Sequence, residues 1–292
     1  MSAVAPIAEL PEAPQTPRRR VGVRGLGVVG NIALVLCVGF AILAVIGPWI
    51  APYDPNAVSL GNAYVGPVSG HVLGFDESGR DLFSRLLAGA RTALLGPAIV
   101  VGLAASVGTV LGITAAWFGG WYDSVLASGL NVVFAFPGIL LAVLAVAVFG
   151  AGLPAAVIAL AIAYTPYLAR GVRAGAVSEA AKDYVAALRV EGLSAWRICF
   201  RHFVPNILPL IVAQSISAFA YATVDLAAIS YLGLGVQQPQ ADWGLMVATG
   251  QQGVVEGYPL EAIAAGTCLV VAVLSFSVLG DRLLSRWEAR ER

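Results

Sequence analysis

The chain has 292 residues, of which 59% are hydrophobic and only 12% charged, and its mean hydropathy is +0.83. Its formal net charge is zero, from 17 basic and 17 acidic residues. This composition excludes an ordinary soluble domain and indicates a protein that crosses a membrane several times. Backbone polar groups inside a bilayer must be hydrogen bonded within the protein, and no alternating strand pattern supports a barrel, so we predict an all-α fold.

Residues 1–27 form a proline-containing stretch that ends in a group of arginines. Nothing in this stretch is able to build a hydrophobic core, which predicts a disordered tail. Arg18, Arg19, Arg20 and Arg24 stand immediately before the first apolar run. We expect these arginines to orient that run in the membrane and to contact lipid headgroups.

Six apolar runs follow, each compatible with a membrane-spanning helix, which needs about 20 residues. They lie at 28–50, 92–118, 125–149, 153–169, 207–232 and 260–279. With their connections they predict a six-helix transmembrane domain over residues 28–284, followed by a short tail over 285–292. Gly108 and Gly112 form a G-x-x-x-G pattern in the second run, which is typical of closely packed helices.

The segment 51–91 between the first two runs is rich in proline and glycine. Its end, DLFSRLLAGAR, has the apolar residues Leu82, Phe83, Leu86 and Leu87 at a helical spacing. That spacing predicts a short amphipathic helix at the membrane interface.

The basic residues are distributed unevenly across the predicted membrane. If six spans are correct, Arg80, Arg85 and Arg91 fall on one side and the other basic residues fall on the opposite side. The positive-inside bias therefore places both termini and the connection 170–206 in the cytoplasm of a cell-membrane protein.

The sequence lacks the common motifs for catalysis, and its G-x-G-x-x-G match at Gly25, Gly27 and Gly30 has no preceding strand, which argues against dinucleotide binding. There is no G-x-x-x-x-G-K-[ST] phosphate loop, so the chain does not bind a nucleotide in that way. His71 and His202, the two histidines, fall on opposite sides of the predicted membrane, which argues against a metal site or a catalytic triad. We expect no catalytic residue, metal, cofactor or nucleic-acid partner for this chain.

The connection 170–206 carries nine charged residues in an otherwise apolar protein. Within it, EAAKDYVAALRVEG is typical of a helix that ends at Gly192, and Ser194 is placed to cap a second helix. Pro205 and Pro209 are expected to mark the turn into the fifth run. We predict a helix–glycine–helix elbow for a partner or a lipid surface, with a solvated connector as the alternative.

This elbow resembles the EAA loop of importer permeases of ATP-binding-cassette (ABC) transporters. The pattern of that loop falls on Ala186, Ala187, Leu188, Gly192 and Pro205. The family's glutamate is replaced by Ala186, and its third position is Leu188. The resemblance implies that the helix docks into a groove on an ATPase subunit, with Asp183 or Glu191 in place of the missing acid.

Four further stretches are similar to dipeptide and oligopeptide permeases. They are HVLGFDESGRDLFSRLLAGAR from His71, GGWYDSVLASGLNVVFAFPGILLAV from Gly119, ISYLGLGVQQPQADWGLM from Ile229, and VLGDRLLSRWE from Val278. Together they identify the chain as similar to the C-type subunits of this family, which implies the type I ABC importer permease fold.

The family resemblance implies a set of partners. They are a second homologous permease, two ATPase subunits that bind ATP and Mg²⁺, and an extracytoplasmic peptide-binding protein. The chain itself is then a non-catalytic subunit without a cofactor. Peptides are the expected substrate, and nickel chelates or opine-like compounds are the alternative.

The residues expected to couple this chain to the ATPases all lie in the elbow. They are Asp183, Tyr184, Ala186, Ala187, Leu188, Arg189, Glu191 and Gly192. Gly192 is expected to set the angle of the elbow, because a side chain with a positive φ is strained.

The substrate pathway is expected to include Asp225, the one acid inside a predicted span. A carboxylate at that depth is costly and should face a cavity or a partner, where the hypothesis is contact with a peptide amino group or a gate. The alternative is a hydrogen bond to a neighbouring helix or subunit. Gln214 lies about three helical turns earlier and could share the face of Asp225. Asp242 and Trp243 are expected to contact the binding protein, with a solvated loop as the alternative.

Two other classes of membrane protein fit this sequence less well than an ABC permease. A secondary transporter would need several intramembrane ionisable groups or broken helices, for which Asp225 alone is thin support. A membrane-embedded enzyme would need paired catalytic residues, which the sequence lacks.

Overall fold

The computed structural model describes residues 26–291, and its folded elements there are helices. The predicted disordered tail therefore lies almost entirely outside the described residues. Within them the all-α prediction is confirmed, since the β-structure there consists of isolated bridges in the segment before α2. The described α-helices are α1 Gly27–Ile50, α2 Leu82–Phe118, α3 Gly120–Phe134, α4 Gly138–Phe149, α5 Leu153–Ala180, α6 Asp183–Val190, α7 Ala195–Ile198, α8 Val204–Tyr231, α9 Trp243–Glu256 and α10 Leu260–Glu291.

Five continuous helical stretches are long and apolar enough to cross a membrane. They are α1, α2, α5, α10 and the run from α7 through α8. The predicted third span instead appears as α3 and α4, which are bent by 76° relative to each other. The bend falls at Pro137, which cannot continue a helix and disfavours helical backbone in the residue before it. Taking the bent pair as one span accounts for the six predicted runs.

Three boundaries differ from the sequence prediction because helices continue through them. The stretch from Leu82 is the first part of α2 rather than a separate interfacial helix, and Asp81 caps α2 by accepting a hydrogen bond from the Ser84 amide at 2.8 Å. α5 continues to Ala180, and α10 continues through the predicted tail to Glu291. In each case the helix extends past the apolar run that predicted it.

The expected turn at Pro205 and Pro209 is wrong. A π-helical segment over Cys199–Phe203 joins α7 to α8, so the chain stays helical from Ala195 to Tyr231. Pro205 follows shortly after the π-helical segment, so the irregular hydrogen bonding of the helix falls where the proline lacks an amide donor.

α2 packs closely along α5 because glycines remove side chains from the contact. A Cβ at Gly112 would lie 2.6 Å from the Ala169 carbonyl oxygen, and one at Gly108 would lie 3.0 Å from the Ala169 amide nitrogen. The G-x-x-x-G pattern therefore has the packing role that the sequence indicated. α8 packs on the same pair of helices, and Val100, Leu160 and Ala222 meet in their shared core.

The segment before α2 is held by a buried ion network. Asp76 accepts hydrogen bonds from the Arg80 side chain at 2.6 Å and from the Arg80 amide at 2.8 Å. Arg85 is fully buried, with its Nε 3.4 Å from Asp76 Oδ2, and it donates to the carbonyl oxygens of Pro55 and Pro239. The FDESGRD part of the family-like motif is therefore structural in this chain.

Candidate functional site

α6 is a short helix that turns away from the end of α5. It ends at Gly192, which has φ +78°, as the sequence predicted. The Leu193 amide donates to the Leu188 carbonyl and the Gly192 amide donates to the Arg189 carbonyl, which is the Schellman pattern of helix termination. Ser194 stands at the start of α7 but makes no side-chain capping bond.

Apolar contacts attach α6 to the helix bundle. Val185 is only 1% exposed and lies in a cluster with Ile113 of α2, Val172 of α5 and Phe203. Leu188 packs against the same cluster. One face of α6 is therefore part of the protein's own core.

Glu179, in the last turn of α5, makes the polar contacts that hold the start of α6. The Tyr184 hydroxyl and the Asn206 side-chain amide each donate to Glu179 Oε1 at 2.6 Å. Lys182 Nζ donates to Oε2, also at 2.6 Å. The residue is only 3% exposed, so this carboxylate joins α5, α6 and α8 from a buried position.

Tyr184 acts as a neutral hydrogen-bond donor in this cluster. Burial, together with donation to Glu179, raises its pKa to about 12. Its hydroxyl also accepts a hydrogen bond from the Asn206 side chain at 3.2 Å. Tyr184 therefore points towards its own chain.

The far end of α6 is held by a cation–π contact. The guanidinium carbon of Arg189 lies 4.3 Å from the centre of the Trp117 ring, near the end of α2. Trp117 packs in turn on Phe203. Both ends of α6 are thus attached to the bundle, and the opposite face is exposed.

The elbow residues predicted for coupling divide into two groups. Asp183, Ala186, Ala187, Arg189, Glu191 and Gly192 are exposed, whereas Tyr184 and Leu188 are partly buried against the chain itself. Further apolar side chains lie beside the exposed group: Val190 is 89% exposed, and Trp196 and Phe200 are exposed and stacked on each other. This surface combines small and apolar groups with the charges of Asp183, Arg189 and Glu191, and it is suited to contact with another protein.

The break in the third span opens onto a cavity of about 810 Å³. Its walls come from α5, α8, α10 and the break itself. The residues that line it are Phe134, Phe136, Pro137, Gly138, Ala163, Tyr164, Tyr167, Tyr221, Val224, Asp225 and Val273. Asp225 is the one acidic residue of this lining, and its Oδ2 accepts a hydrogen bond from the Tyr164 hydroxyl at 2.8 Å.

Gln214 does not line this cavity with Asp225. It packs against the backbone of α5 at Gly171, where a Cβ would overlap its side-chain amide. Its Oε1 is buried and has no hydrogen-bond partner within residues 26–291. The structure therefore places Gln214 at the α5–α8 contact and Asp225 in the cavity.

The expectation that Asp242 and Trp243 face outwards is wrong. Asp242 is 4% exposed and caps α9 through the Leu245 amide at 3.1 Å, and burial raises the pKa of its carboxyl. Trp243 is fully buried, and its indole Nε1 donates to the Leu86 carbonyl at 2.9 Å. Because α9 packs against the bundle, these side chains are covered by the chain itself and hold α9 to α2. They are not on the surface where a binding protein would make contact.

Sequence reasoning missed Glu179. In the sequence it is one of nine charges in the connection 170–206, and the family pattern points to Asp183 and Glu191 instead. The available signal was an acid near the predicted exit of a membrane helix, five residues before a tyrosine.

In the described part of the chain, no group of three or more His, Cys, Asp or Glu residues is placed to bind a metal ion.

Comparison with protein families gives a match over residues 108–292. The matching family is described as binding-protein-dependent transport system inner membrane component. The match covers both the elbow and the cavity.

Curated relatives align with most of this chain. A dipeptide transport system permease protein of Alkalihalophilus pseudofirmus is 33% identical over 88% of this chain and 84% of its own length. A glutathione transport system permease protein of Pectobacterium atrosepticum is 35% identical over 88% of this chain and 85% of its own length. Among solved structures, an inward-facing form of the MetNI methionine ABC transporter matches 70% of this chain and 96% of its own, with a TM-score of 0.56 and 20% identity. At that identity the match supports the fold alone.

Proposed function

Because the chain belongs to the family of binding-protein-dependent transport system inner membrane components, and its relatives include permeases of dipeptide and glutathione systems, we propose that it carries dipeptides or short oligopeptides. It is a permease subunit of the ABC importer type, and a second homologous permease supplies the other half of the pathway. The names of the relatives favour peptides over nickel chelates or opine-like compounds. Membership of this family also argues against the alternative that the chain is a secondary transporter.

The observation that carries the coupling proposal is the elbow. α6 presents the small side chains of Ala186 and Ala187, together with Val190, on the face opposite its buried contacts. Such a face fits a groove on another protein, and the chain has no phosphate loop of its own. In this proposal α6 docks on one of two ATPase subunits, which bind ATP and Mg²⁺ and carry out hydrolysis.

The orientation follows from the distribution of charge. Both termini and α6 lie in the cytoplasm, and the segment 51–81 lies outside, where an extracytoplasmic binding protein delivers the peptide. Closure of the ATPases moves α6, and α6 moves the helices to which it is attached. The cavity then opens to alternate sides of the membrane.

Asp225 is the proposed contact for the peptide amino group. An ammonium group that enters an apolar cavity loses its hydration, and a carboxylate compensates for that loss. Phe134, Tyr167 and Tyr221 place aromatic rings in the same lining, which favours a cation further. The alternative is that Asp225 serves only its hydrogen bond with Tyr164.

The proposal is tested by co-purification of the transporter. The tagged chain is expressed with the products of its neighbouring genes, and ATPase activity is measured with and without dipeptides and their binding protein. We expect recovery of two ATPases and a second permease, with hydrolysis stimulated by the loaded binding protein. Recovery of a stable chain without any ATPase would contradict the proposal.

A further inference from the structure

The buried carboxylate of Glu179 lies at the junction of α5, α6 and α8. Its three donors come from three places: Lys182 before α6, Tyr184 within α6, and Asn206 in the first turn of α8. Because an ionised carboxylate only accepts hydrogen bonds, it satisfies all three donors at once. Replacement by an amide would bring an N–H donor against at least one of them.

The helices joined by Glu179 are those that form two walls of the cavity. α5 carries Glu179 and, about 22 Å earlier along its axis, Tyr164. α8 begins at the Asn206 contact and carries Asp225 about 28 Å further on. Tyr164 and Asp225 are hydrogen bonded to each other across the cavity wall. A displacement of α6 therefore acts through Glu179 on both helices that bear the proposed substrate contact.

The other attachments of α6 do not have this arrangement. The apolar cluster around Val185 also reaches α5 and α8 but contains no directional bond, and the Arg189 contact leads to α2, whose residues do not line the cavity. Asp183 and Glu191, the acids expected to replace the missing family glutamate, are exposed on the elbow. Glu179 is thus the acid that fixes the start of α6 to both α5 and α8.

We propose that Glu179 is a positioning residue for energy coupling, which makes α6, α5 and α8 move as one body when the ATPases close. This inference rests on the proposed function, since it takes α6 as the ATPase-docking helix. It concerns the attachment of α6 to its own chain rather than the docking surface.

The test compares Glu179→Gln with the exchanged pair Glu179→Gln/Asn206→Asp in the complete transporter. The readout is the ratio of ATPase activity with loaded binding protein to basal activity, measured beside dipeptide uptake in proteoliposomes. We expect the single variant to lower this ratio by roughly tenfold, the effect of losing a charge-assisted hydrogen bond. The double variant should recover a substantial part of the ratio. It restores a carboxylate–amide pair in which position 206 now carries the carboxylate and position 179 the amide. The Tyr184 hydroxyl then still has a carboxylate to which it donates.

A milder variant keeps the test decisive if Glu179→Gln fails to assemble. Tyr184→Phe removes one donor without a change of charge, and we expect a roughly fivefold lower ratio. The matched control is Tyr231→Phe, which removes a hydroxyl that donates to Gln251 at 2.6 Å, far from the elbow. That control should keep the wild-type ratio.

Three outcomes would overturn the inference. They are a normal ratio in Glu179→Gln, a normal ratio in Tyr184→Phe, or no recovery in the exchanged pair. Failure of the proposed function gives a different result, because the wild-type chain would then recruit no ATPase and no ratio would exist to compare. A wild-type transporter that imports dipeptides, together with an unaffected Glu179→Gln variant, rejects the positioning role alone.

Discussion

At the scale of single residues, this protein has two carboxylates whose surroundings distinguish their roles. Glu179 has three donors and is almost completely buried, so its hydrogen-bonding capacity is used within the chain. Within the described residues Asp225 accepts one side-chain hydrogen bond, from Tyr164, and its carboxylate borders a cavity. A carboxylate with spare acceptor capacity beside a cavity is suited to bind a ligand, whereas a saturated one is suited to hold helices together.

Asp225→Asn tests the proposed substrate contact. Asparagine keeps the shape of the side chain and still accepts a hydrogen bond from Tyr164, so the change removes the charge alone. We expect roughly tenfold slower uptake of dipeptides with a free amino group, because the ammonium group enters the cavity without a counter-charge. Uptake is measured in proteoliposomes with a saturating amount of loaded binding protein.

Tyr164→Phe is the companion variant for Asp225→Asn. It removes the hydrogen bond and keeps the carboxylate, so a smaller loss of uptake is expected. Unchanged kinetics in Asp225→Asn would exclude the substrate role. A larger loss in Tyr164→Phe than in Asp225→Asn would instead indicate that the hydrogen bond itself is what matters.

At the scale of elements, the elbow depends on where α6 stops. The positive φ of Gly192 turns the chain away from the axis of α6. α7 then begins at Ala195, two residues after Leu193. A Cβ at Gly192 would meet no atom within 4 Å, so the glycine is required by backbone conformation rather than by space. This point was accessible to sequence analysis because a glycine after a helical pattern is a local signal.

Gly192→Val is expected to uncouple ATP hydrolysis from transport and to leave membrane insertion intact. A β-branched residue with positive φ is strained by roughly 1–2 kcal/mol, which shifts the direction of the chain after α6. The measurement is dipeptide uptake per ATP hydrolysed, with insertion checked by the amount of transporter recovered from membranes.

Gly102→Val is the matched control for the elbow variant. Gly102 also has open space around its Cβ position, but its backbone is helical with an ordinary φ. We expect this variant to transport normally. Normal uptake per ATP in Gly192→Val as well would disprove the assignment of Gly192 as the determinant of the elbow.

At the scale of the whole molecule, the count of spans determines which parts face the cytoplasm. An even count places both termini and α6 on the same side, and the bent pair α3–α4 is the element on which the count depends. If that pair crosses the membrane once, α6 and the segment 51–81 lie on opposite sides. If it enters and leaves on one side, the orientation of every later helix is reversed.

Labelling of introduced cysteines tests this arrangement. Ser69→Cys and Ala187→Cys both stand at exposed positions, and the chain is expressed without its ATPase subunits so that the proposed docking face at Ala187 stays uncovered. A membrane-impermeant maleimide should label the first in intact cells and the second only after permeabilisation. The background is a variant without Cys37, Cys199 and Cys268. Labelling of both positions from the same side would contradict the six-span arrangement.

The sequence by itself determined the all-α membrane architecture, the apolar runs, the end of α6 at Gly192 and the family. These features depend on hydropathy, on helix propensity and on local backbone conformation, all of which act between residues that are close along the chain. Only the tertiary structure decided which polar residues meet. Glu179 and Asn206 are 27 positions apart, and Trp243 and Leu86 are 157 apart. Such pairs form because helices pack side by side, and a buried polar group must then find whatever partner the neighbouring helix presents.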